Sequence, residues 1–244
     1  MTKVKTPSDP QPIWQREGEA KREAVREMFA DIAPTYDRVN TIVSTGQDEK
    51  WRRAAVEAIN LQPGESVLDL CSGTGAFLPH IMAKVGEAGL VTGVDFCAPM
   101  LAEAKTKFGE KVSLQVGDAT ELPFQAESFD AMTVGWGLRN VPDLDRALSE
   151  AARVLKPGGR FVTVDMARPR GLIGPISEWA CGTIVPLVGR VFGKTEAYTY
   201  LPKSAQRFAS REELTAKMEK AGFSDVQFKD FYFGNICMHW GVKK

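Results

Sequence analysis

The chain has 244 residues, of which 43% are hydrophobic and 25% charged, enough to bury one substantial core. Its 31 basic and 31 acidic residues cancel, so nothing favours nucleic acid as the partner. The cysteines stand far apart with no C-x-x-C pair, which argues against a zinc site or a disulfide framework and favours a reducing compartment. The first 15 residues lack an apolar signal region, so we expect a cytoplasmic protein.

The N-terminal part is predicted to be largely helical. Residues 1–13 contain three prolines and are predicted to be a flexible leader. Apolar residues then fall at helical spacing up to Ile32, which predicts an amphipathic helix that stops at Pro34. A polar and aromatic segment with little periodicity precedes a second helix, Trp51 to Ile59. Residues 14–62 thus form a helical cover, either over an active site or simply packed on the domain.

A strand that leads directly into a glycine turn and a helix spans Ser66 to Ala76. Val67 and Leu68 suit a buried strand, and Ser72-Gly73-Thr74-Gly75 follows. Glycines allow a sharp turn and let a ligand approach bare N–H groups, while the start of a helix adds partial positive charge. The dinucleotide fingerprint requires a third glycine where Leu78 stands, so an ordinary strand-to-helix turn remains an alternative here.

A second predicted strand, Leu90 to Asp95, ends in a carboxylate. Asp95 lies 22 residues beyond Gly73, a spacing that suits an acidic side chain accepting hydrogen bonds from ribose hydroxyls. Pro99 follows and opens a helix, so Asp95 has a helix N-cap as its alternative role. The glycine turn and the carboxylate together favour a nucleoside ligand.

Strands and helices alternate along the rest of the chain. Further strands are predicted at 112–116, 129–134, 160–165, 226–233 and 236–242, with helices at 143–155 and 211–221. This order predicts an α/β fold with a doubly wound, mostly parallel seven-stranded sheet. Ligands of such sheets bind beyond the carboxyl ends of the strands. The side chains expected to converge there are Asp69, Gly73, Asp95, Asp118 and the loop 135–140.

An apolar segment follows the fifth predicted strand. Residues 171–193 carry Glu178 and Arg190 as their only charges, but prolines and glycines interrupt the segment too often for it to span a bilayer. It suits an apolar lid over a lipophilic substrate or a surface that leans on a membrane. A dimer contact is the equally weighted alternative. We assign 171–205 to this insertion within a single domain of residues 14–244.

Motifs at the predicted strand ends recur in a fixed order, namely Leu68–Gly75, Asp95, Gly117-Asp118-Ala119 and Arg153–Gly159. Together they resemble class I S-adenosylmethionine-dependent methyltransferases with a Rossmann-like fold. A second set consists of Tyr36–Asn40, Ser44, Trp51, Gly137–Asn140 and Tyr198–Ser204. This set resembles the ubiquinone/menaquinone-biosynthesis C-methyltransferases (UbiE/MenG), and the resemblance runs from about Met28 to the C-terminus.

The resemblance implies S-adenosyl-L-methionine as the cofactor, S-adenosyl-L-homocysteine as its product, and no metal. The residues implied to contact the cofactor are Asp69, Gly73, Thr74, Gly75, Asp95, Asp118 and Ala119. Asp69 would help position the ammonium group, and Asp95 would hold the ribose hydroxyls. Asp118 would accept from the adenine amino group, with a turn former after Gly117 as its alternative role.

The same resemblance implies the catalytic residues. Methyl transfer from a sulfonium depends mainly on orientation, with the nucleophile in line with the departing sulfur. For a quinol the nucleophile is a ring carbon beside a hydroxyl, and a nearby cation favours the ionised hydroxyl. Arg139 is the candidate for this electrostatic task, with Asn140 and Tyr36 orienting the ring. The expected substrate is a lipophilic quinol, and peripheral membrane contact and a homodimer both stay open.

Departures from the family pattern concern the acceptor. Asp48 stands where members usually carry histidine, Ala76 where they carry an acidic residue, and Asp165 and Ala167 where they carry glutamate and serine. Another aromatic acceptor, methylated on carbon, oxygen or nitrogen, therefore stays open. A nicotinamide-dependent oxidoreductase is a further alternative, against which the missing third glycine counts, and a non-catalytic cofactor-binding protein is another.

Overall fold

The computed structural model describes residues 11–172 and 174–244. Within these residues the helices are α1 (Gly18–Ile32), α2 (Tyr36–Val43), α3 (Asp48–Ala58), α4 (Leu78–Val85), α5 (Ala98–Phe108), α6 (Leu144–Val154), α7 (Gly174–Val191), α8 (Thr195–Arg207) and α9 (Arg211–Lys220). The strands are β1 (Ser66–Leu70), β2 (Leu90–Asp95), β3 (Ser113–Val116), β4 (Phe129–Gly135), β5 (Leu155–Met166), β6 (Phe223–Phe231) and β7 (Ile236–Lys243).

The strands form one sheet in the order β3-β2-β1-β4-β5-β7-β6. Neighbouring strands are parallel except for β7, which runs antiparallel to both β5 and β6. The strand order reverses between β1 and β4, because the chain first builds outward to β3 and then returns to the other side of β1. The predicted doubly wound, mostly parallel seven-stranded sheet is confirmed, and its ligand crevice is expected at this reversal.

Helices cover both faces of the sheet. Alternate residues of β1 enter different cores, with Val67 packing among residues of α3 and α4 and Leu68 among residues of α6 and α9. A parallel sheet buried on both faces requires such consecutive apolar residues. The continuous apolar run that the sequence shows at β1 follows from this burial.

A third apolar core connects the N-terminal helices to the insertion after β5. Val25 and Phe29 of α1 and Val39 of α2 pack with Tyr198 and Tyr200 of α8, and both tyrosines are completely buried. The same core includes Met100 at the start of α5. The N-terminal helices and the insertion therefore meet beside the carboxyl ends of β1 and β2.

The structure differs from the sequence prediction at three local points. The segment read as non-periodic contains α2, a helix of only two turns whose Asp37 is held by Lys107 of α5. Strand β5 begins at Leu155 rather than at residue 160, and its pairing with β4 shifts between Phe129 and Ala131. Strand β6 ends at Phe231, and a short 3-10 helix, Tyr232–Gly234, follows. In all three cases tertiary contacts or pairing, rather than local pattern, set the boundary.

Two other predictions concern the chain ends and membranes. Most of the predicted leader, residues 1–10, lies outside the described residues, and Ile13 near its end is buried in a short 3-10 helix. Within residues 11–172 and 174–244, no helix has both the length and the apolar character needed to cross a bilayer.

Candidate active site

Two strained turns lie side by side where the strand order reverses. Cys71 directly follows β1 with φ of 56°, and Trp136 directly follows β4 with φ of 54°, a conformation that is costly for side chains of this size. Gly137 passes so close to Cys71 that an added Cβ would lie 2.4 Å from the Cys71 Cβ. Both turns line the same small cavity. Strain of this kind persists only where surrounding structure holds it, which is typical of functional sites.

Asp95 fixes the loops on either side of this cavity. Its Oδ2 accepts from the Gly73 N–H at 2.8 Å and its Oδ1 accepts from the Cys97 N–H at 2.9 Å. Burial raises the pKa of Asp95 to about 6, although these backbone hydrogen bonds act to lower it. A carboxylate has about four acceptor positions, so Asp95 retains capacity for further hydroxyl donors.

Asp69 lies at the same end of the sheet but faces the protein interior. Its oxygens accept from Ser72 Oγ at 2.7 Å and Thr133 Oγ1 at 2.6 Å, and it is not among the residues that line the cavity. Burial raises the pKa of Asp69 to about 6 as well, and the neighbouring charge of Asp95 adds to the rise. In this arrangement Asp69 braces the glycine turn, and any effect on a ligand passes through that turn.

Asp118 faces the cavity from the end of β3. Its Oδ1 accepts from the backbone N–H and the hydroxyl of Thr120, while its Oδ2 forms an ion pair with Arg22 of α1 at 3.0 Å. Ala119 also lines the cavity. Sequence reasoning missed Arg22, because its approach to Asp118 depends on how α1 packs.

The remaining predicted cofactor residues, Gly73, Thr74 and Gly75, make up the glycine turn. Gly73, with φ of 56°, lines the cavity, but Thr74 and Gly75 do not. Thr74 Oγ1 donates to Asp37 of α2, and an added Cβ on Gly75 would lie 2.7 Å from Phe108. Thr74 therefore attaches the turn to α2, and Gly75 lets it pack against α5.

The cavity at the strand ends fits the chemistry of a nucleoside that carries a sulfonium. Its lining combines Gly73 and the carboxylates of Asp95 and Asp118 with the apolar side chains of Phe96 and Met100. Its volume of about 60 Å³ is far below the roughly 300 Å³ at which small-molecule pockets begin. Arg22 and Phe29 of α1 are among the side chains that line it.

A larger apolar cavity of about 390 Å³ adjoins the first. Tyr36 and Trp136 line both cavities and thus form a shared wall. The larger cavity is enclosed by side chains of α2, α3, α7, α8 and the 3-10 helix after β6. Its size and apolar lining suit an aromatic ring with a hydrocarbon substituent.

Arg139 is held rigidly in the wall of the apolar cavity. Its Nη1 donates to Asp165 Oδ1 at 2.7 Å and to the carbonyl of Trp136, and its Nε donates to Ser204 Oγ at 3.2 Å. Burial acts to lower the pKa of Arg139, but the charge of Asp165 outweighs it and the pKa is raised. Arg139 is therefore a fixed permanent cation that cannot serve as a proton acceptor.

Asn140 and Tyr36 lie beside the cofactor cavity in different ways. Asn140 Nδ2 donates to the Trp136 carbonyl at 3.0 Å, and its Oδ1 accepts from the Tyr200 hydroxyl at 2.9 Å, so its amide is committed to shaping the loop. Burial raises the pKa of the Tyr36 hydroxyl, while Arg139 and a hydrogen bond with Asn40 oppose the rise. Tyr36 thus stays protonated at neutral pH as a potential donor at the shared wall.

Two further residues, Asp165 and Tyr200, hold the predicted catalytic side chains in place. Asp165 at the end of β5 positions Arg139, and Tyr200 of α8 positions Asn140. The sequence shows a carboxylate at the end of the fifth strand and the Tyr198–Ser204 motif. It does not show which side chains they meet.

Comparison with solved structures shows which fold the chain shares. A structure from Thermotoga maritima described as a SAM-dependent methyltransferase is 24% identical and superposes with a TM-score of 0.65, covering 89% of this chain and 99% of its own. This chain therefore has the fold seen in solved S-adenosylmethionine-dependent methyltransferases. The predicted Rossmann-like methyltransferase fold is confirmed.

Sequence comparison gives the family. The sequence profile of the ubiE/COQ5 methyltransferase family matches residues 17–243. The demethylmenaquinone methyltransferase of Lactiplantibacillus plantarum is 40% identical over 90% of this chain and 96% of its own length. The protein of that name from Staphylococcus aureus strain JH9 is 39% identical over 93% and 96%. The chain belongs to the ubiE/COQ5 methyltransferase family, which confirms the resemblance found in the sequence.

Proposed function

We propose that this enzyme methylates a ring carbon of reduced demethylmenaquinone, with S-adenosylmethionine as the methyl donor. The observation that carries the proposal is the wall shared by the two cavities. Tyr36 and Trp136 line both, and Arg139 presents a permanent buried charge to the apolar one. The relatives named demethylmenaquinone methyltransferase support the same acceptor.

The residues of the first cavity would hold the cofactor as the sequence predicts. We assign the ribose hydroxyls to Asp95, the adenine to Asp118 and Ala119, and the methionine part to the turn at Gly73. Thr74, Gly75 and Asp69 act on the cofactor through the shape of that turn, as their contacts indicate. The bound cofactor supplies an activated methyl group.

The residues of the second cavity would activate and orient the acceptor. The charge of Arg139 favours ionisation of the ring hydroxyl beside the reacting carbon, which raises electron density on that carbon. Tyr36 donates a hydrogen bond at the shared wall and orients the ring. Because Arg139 cannot accept the phenolic proton, that proton leaves through water or another group. Exclusion of bulk water by the apolar lining strengthens the electrostatic effect.

The proposal is tested by transfer of a radiolabelled methyl group. We expect product with reduced demethylmenaquinone, none with its oxidised form, and much lower turnover with water-soluble phenols. Mass spectrometry of the product would locate the new methyl on the ring carbon. Methylation of the phenols with no turnover of the quinol, or a methyl found on oxygen, would contradict the proposal.

We further infer that α7 rests on the membrane that holds such a quinol. The support is that the apolar lining of the larger cavity continues onto the exposed surface of the protein. Ile176, Ile184 and Phe233 line the apolar cavity and yet are 66%, 56% and 65% exposed. Trp179, 70% exposed, and Leu187, 59% exposed, extend the apolar surface along the same helix. A hydrocarbon tail leaving the ring would pass over these residues, and a bilayer would cover them.

Replacing Trp179 with glutamate is expected to reduce binding to phospholipid vesicles by roughly tenfold. Burying a large apolar side chain contributes about 2 kcal/mol, and the substitution also adds a charge that resists transfer into lipid. Cosedimentation with vesicles measures the bound fraction. Leu90→Glu is the matched control, because Leu90 is 68% exposed at the opposite end of the sheet. Equal binding by the two variants would exclude α7 as the contact surface.

A further inference from the structure

A second charged group lines the apolar cavity in addition to Arg139. It is the pair formed by Asp48 and Arg52 on the first turns of α3, and both residues are more than nine-tenths buried. Asp48 Oδ2 lies 2.9 Å from Arg52 Nη1, and Asp48 Oδ1 accepts from Ser44 Oγ at 2.7 Å. The sequence indicates only a helix here, with Asp48 as a departure from the family pattern.

The pair leaves hydrogen-bonding capacity unused. Arg52 Nε is buried and has no hydrogen-bond partner among residues 11–172 and 174–244. Its guanidinium lies over the Trp136 ring, 5.1 Å from the ring centroid, which fixes its plane at the wall shared by both cavities. A buried donor without a partner is unfavourable, and an ion pair serving only the stability of α3 would lie at lower cost on the helix surface. These features distinguish the Asp48–Arg52 pair as a polar site in a mostly apolar lining.

Arg52 and Arg139 act on the same part of the cavity. Burial raises the pKa of the Tyr36 hydroxyl, and the positive charges of Arg139 and Arg52 both act against that rise. Tyr36 therefore lies within electrostatic range of two buried cations that reach it from different elements, Arg139 from the loop after β4 and Arg52 from α3. A dihydroxylated ring beside Tyr36 would have a charged residue available for each of its two oxygens.

We propose that Asp48 and Arg52 form a subsite that binds the second ring hydroxyl of the acceptor and selects the reduced ring over the oxidised one. A hydroxyl both donates and accepts, so it can donate to Asp48 while accepting from Arg52. A quinone carbonyl only accepts, and it would place its oxygen against the Asp48 carboxylate without a proton between them. The inference rests on the proposed function, because only the reduced ring is nucleophilic at carbon.

The test compares binding of the reduced and oxidised rings in variants of the full-length protein. Anaerobic titration with naphthalene hydroquinone and with naphthoquinone, followed by tryptophan fluorescence, gives both affinities without requiring turnover. Asp48→Asn preserves size and one acceptor oxygen, which can face Arg52, but it removes the charge and the second acceptor. We expect it to weaken hydroquinone binding by about tenfold to hundredfold and to leave naphthoquinone binding unchanged or stronger, because the carboxylate no longer opposes the carbonyl oxygen. Steady-state assays should show the same rise in KM with kcat within about threefold of wild type.

Glu49→Gln is the matched control. Glu49 is the neighbouring carboxylate and approaches Arg52 Nη1 at 4.0 Å, but it is exposed and does not line the cavity. It should leave both affinities unchanged. Arg52→Lys, which keeps the charge and loses the planar fork, provides a second variant and should also lower the preference for the reduced ring. Calorimetric binding of S-adenosylmethionine confirms that each variant is folded.

Two outcomes separate the inference from the function on which it rests. If wild-type protein methylates demethylmenaquinol but Asp48→Asn and Arg52→Lys keep the wild-type preference for hydroquinone over quinone, the subsite is wrong and the function stands. If wild-type protein binds the hydroquinone and the variants lose that preference, but no quinol is methylated, the subsite stands and the acceptor or the reaction is wrong.

Discussion

Replacing Arg139 with alanine is expected to lower kcat for quinol methylation by about 10²- to 10³-fold, with little change in the affinity for S-adenosylmethionine. Removing a preorganised charge beside a developing anion costs this much in other enzymes. Arg139 lines the apolar cavity but not the cofactor cavity, so the loss should appear in turnover. Arg139→Lys keeps a cation but loses the fork that Asp165 and Ser204 hold, so we expect an intermediate kcat.

The Arg139 variant also needs a control for stability, because it leaves Asp165 buried without its partner. Breaking a buried ion pair on one side typically costs about 3–5 kcal/mol. Arg153→Ala breaks an ion pair with Glu150 outside both cavities and should reduce stability without reducing kcat. Thermal unfolding measured alongside turnover separates the two effects. A kcat for Arg139→Ala within threefold of wild type would remove Arg139 from the mechanism.

Replacing Asp95 with asparagine is expected to weaken binding of S-adenosylmethionine by about tenfold to hundredfold at pH 7.5. A hydrogen bond to a charged group contributes about 1.5–3 kcal/mol, and the ribose would lose a charged acceptor. Asparagine is nearly isosteric, so the hold on the Gly73 and Cys97 backbone is partly kept. Isothermal titration calorimetry measures the change. Asp130→Asn is the control, because Asp130 also accepts from a backbone N–H but lies at the amino end of β4.

The pH dependence of cofactor binding follows from the same residue. Burial raises the pKa of Asp95 to about 6, so its carboxyl gains a proton and loses its charge as the pH falls through that value. If the ionised form binds the ribose, wild-type affinity should be nearly constant above pH 7 and about tenfold weaker at pH 5. Asp95→Asn should abolish this slope. A slope that persists in the variant would assign the titration to Asp69, whose pKa is also about 6.

The candidate site was predictable where it depends on strand ends. Asp95 and Asp118 could be named from the sequence because the end of a parallel strand fixes both the position of a side chain and the edge it faces. Arg139 and Tyr36 came instead from the family resemblance. The contacts of Arg22 and Tyr200 could not be predicted, because each pairs with a residue far away in the chain through the packing of a helix.

The placement of Thr74 and Gly75 shows a related limit. A motif identifies the turn that approaches a ligand but not which of its residues face outward. In the structure a hydrogen bond to α2 turns the Thr74 side chain away from the cavity, and Gly75 packs against Phe108 of α5. Helix α2 itself is short and polar, and its ion pair with α5 supplies part of the stability that its own sequence does not provide.

Different helices line the two cavities, α1 the smaller one and α7 the larger one, and only Tyr36 and Trp136 line both. If donor and acceptor bind as proposed, the spent donor would leave from the side of α1 and the methylated quinol from the side of α7. Neither product would then have to pass through the site of the other.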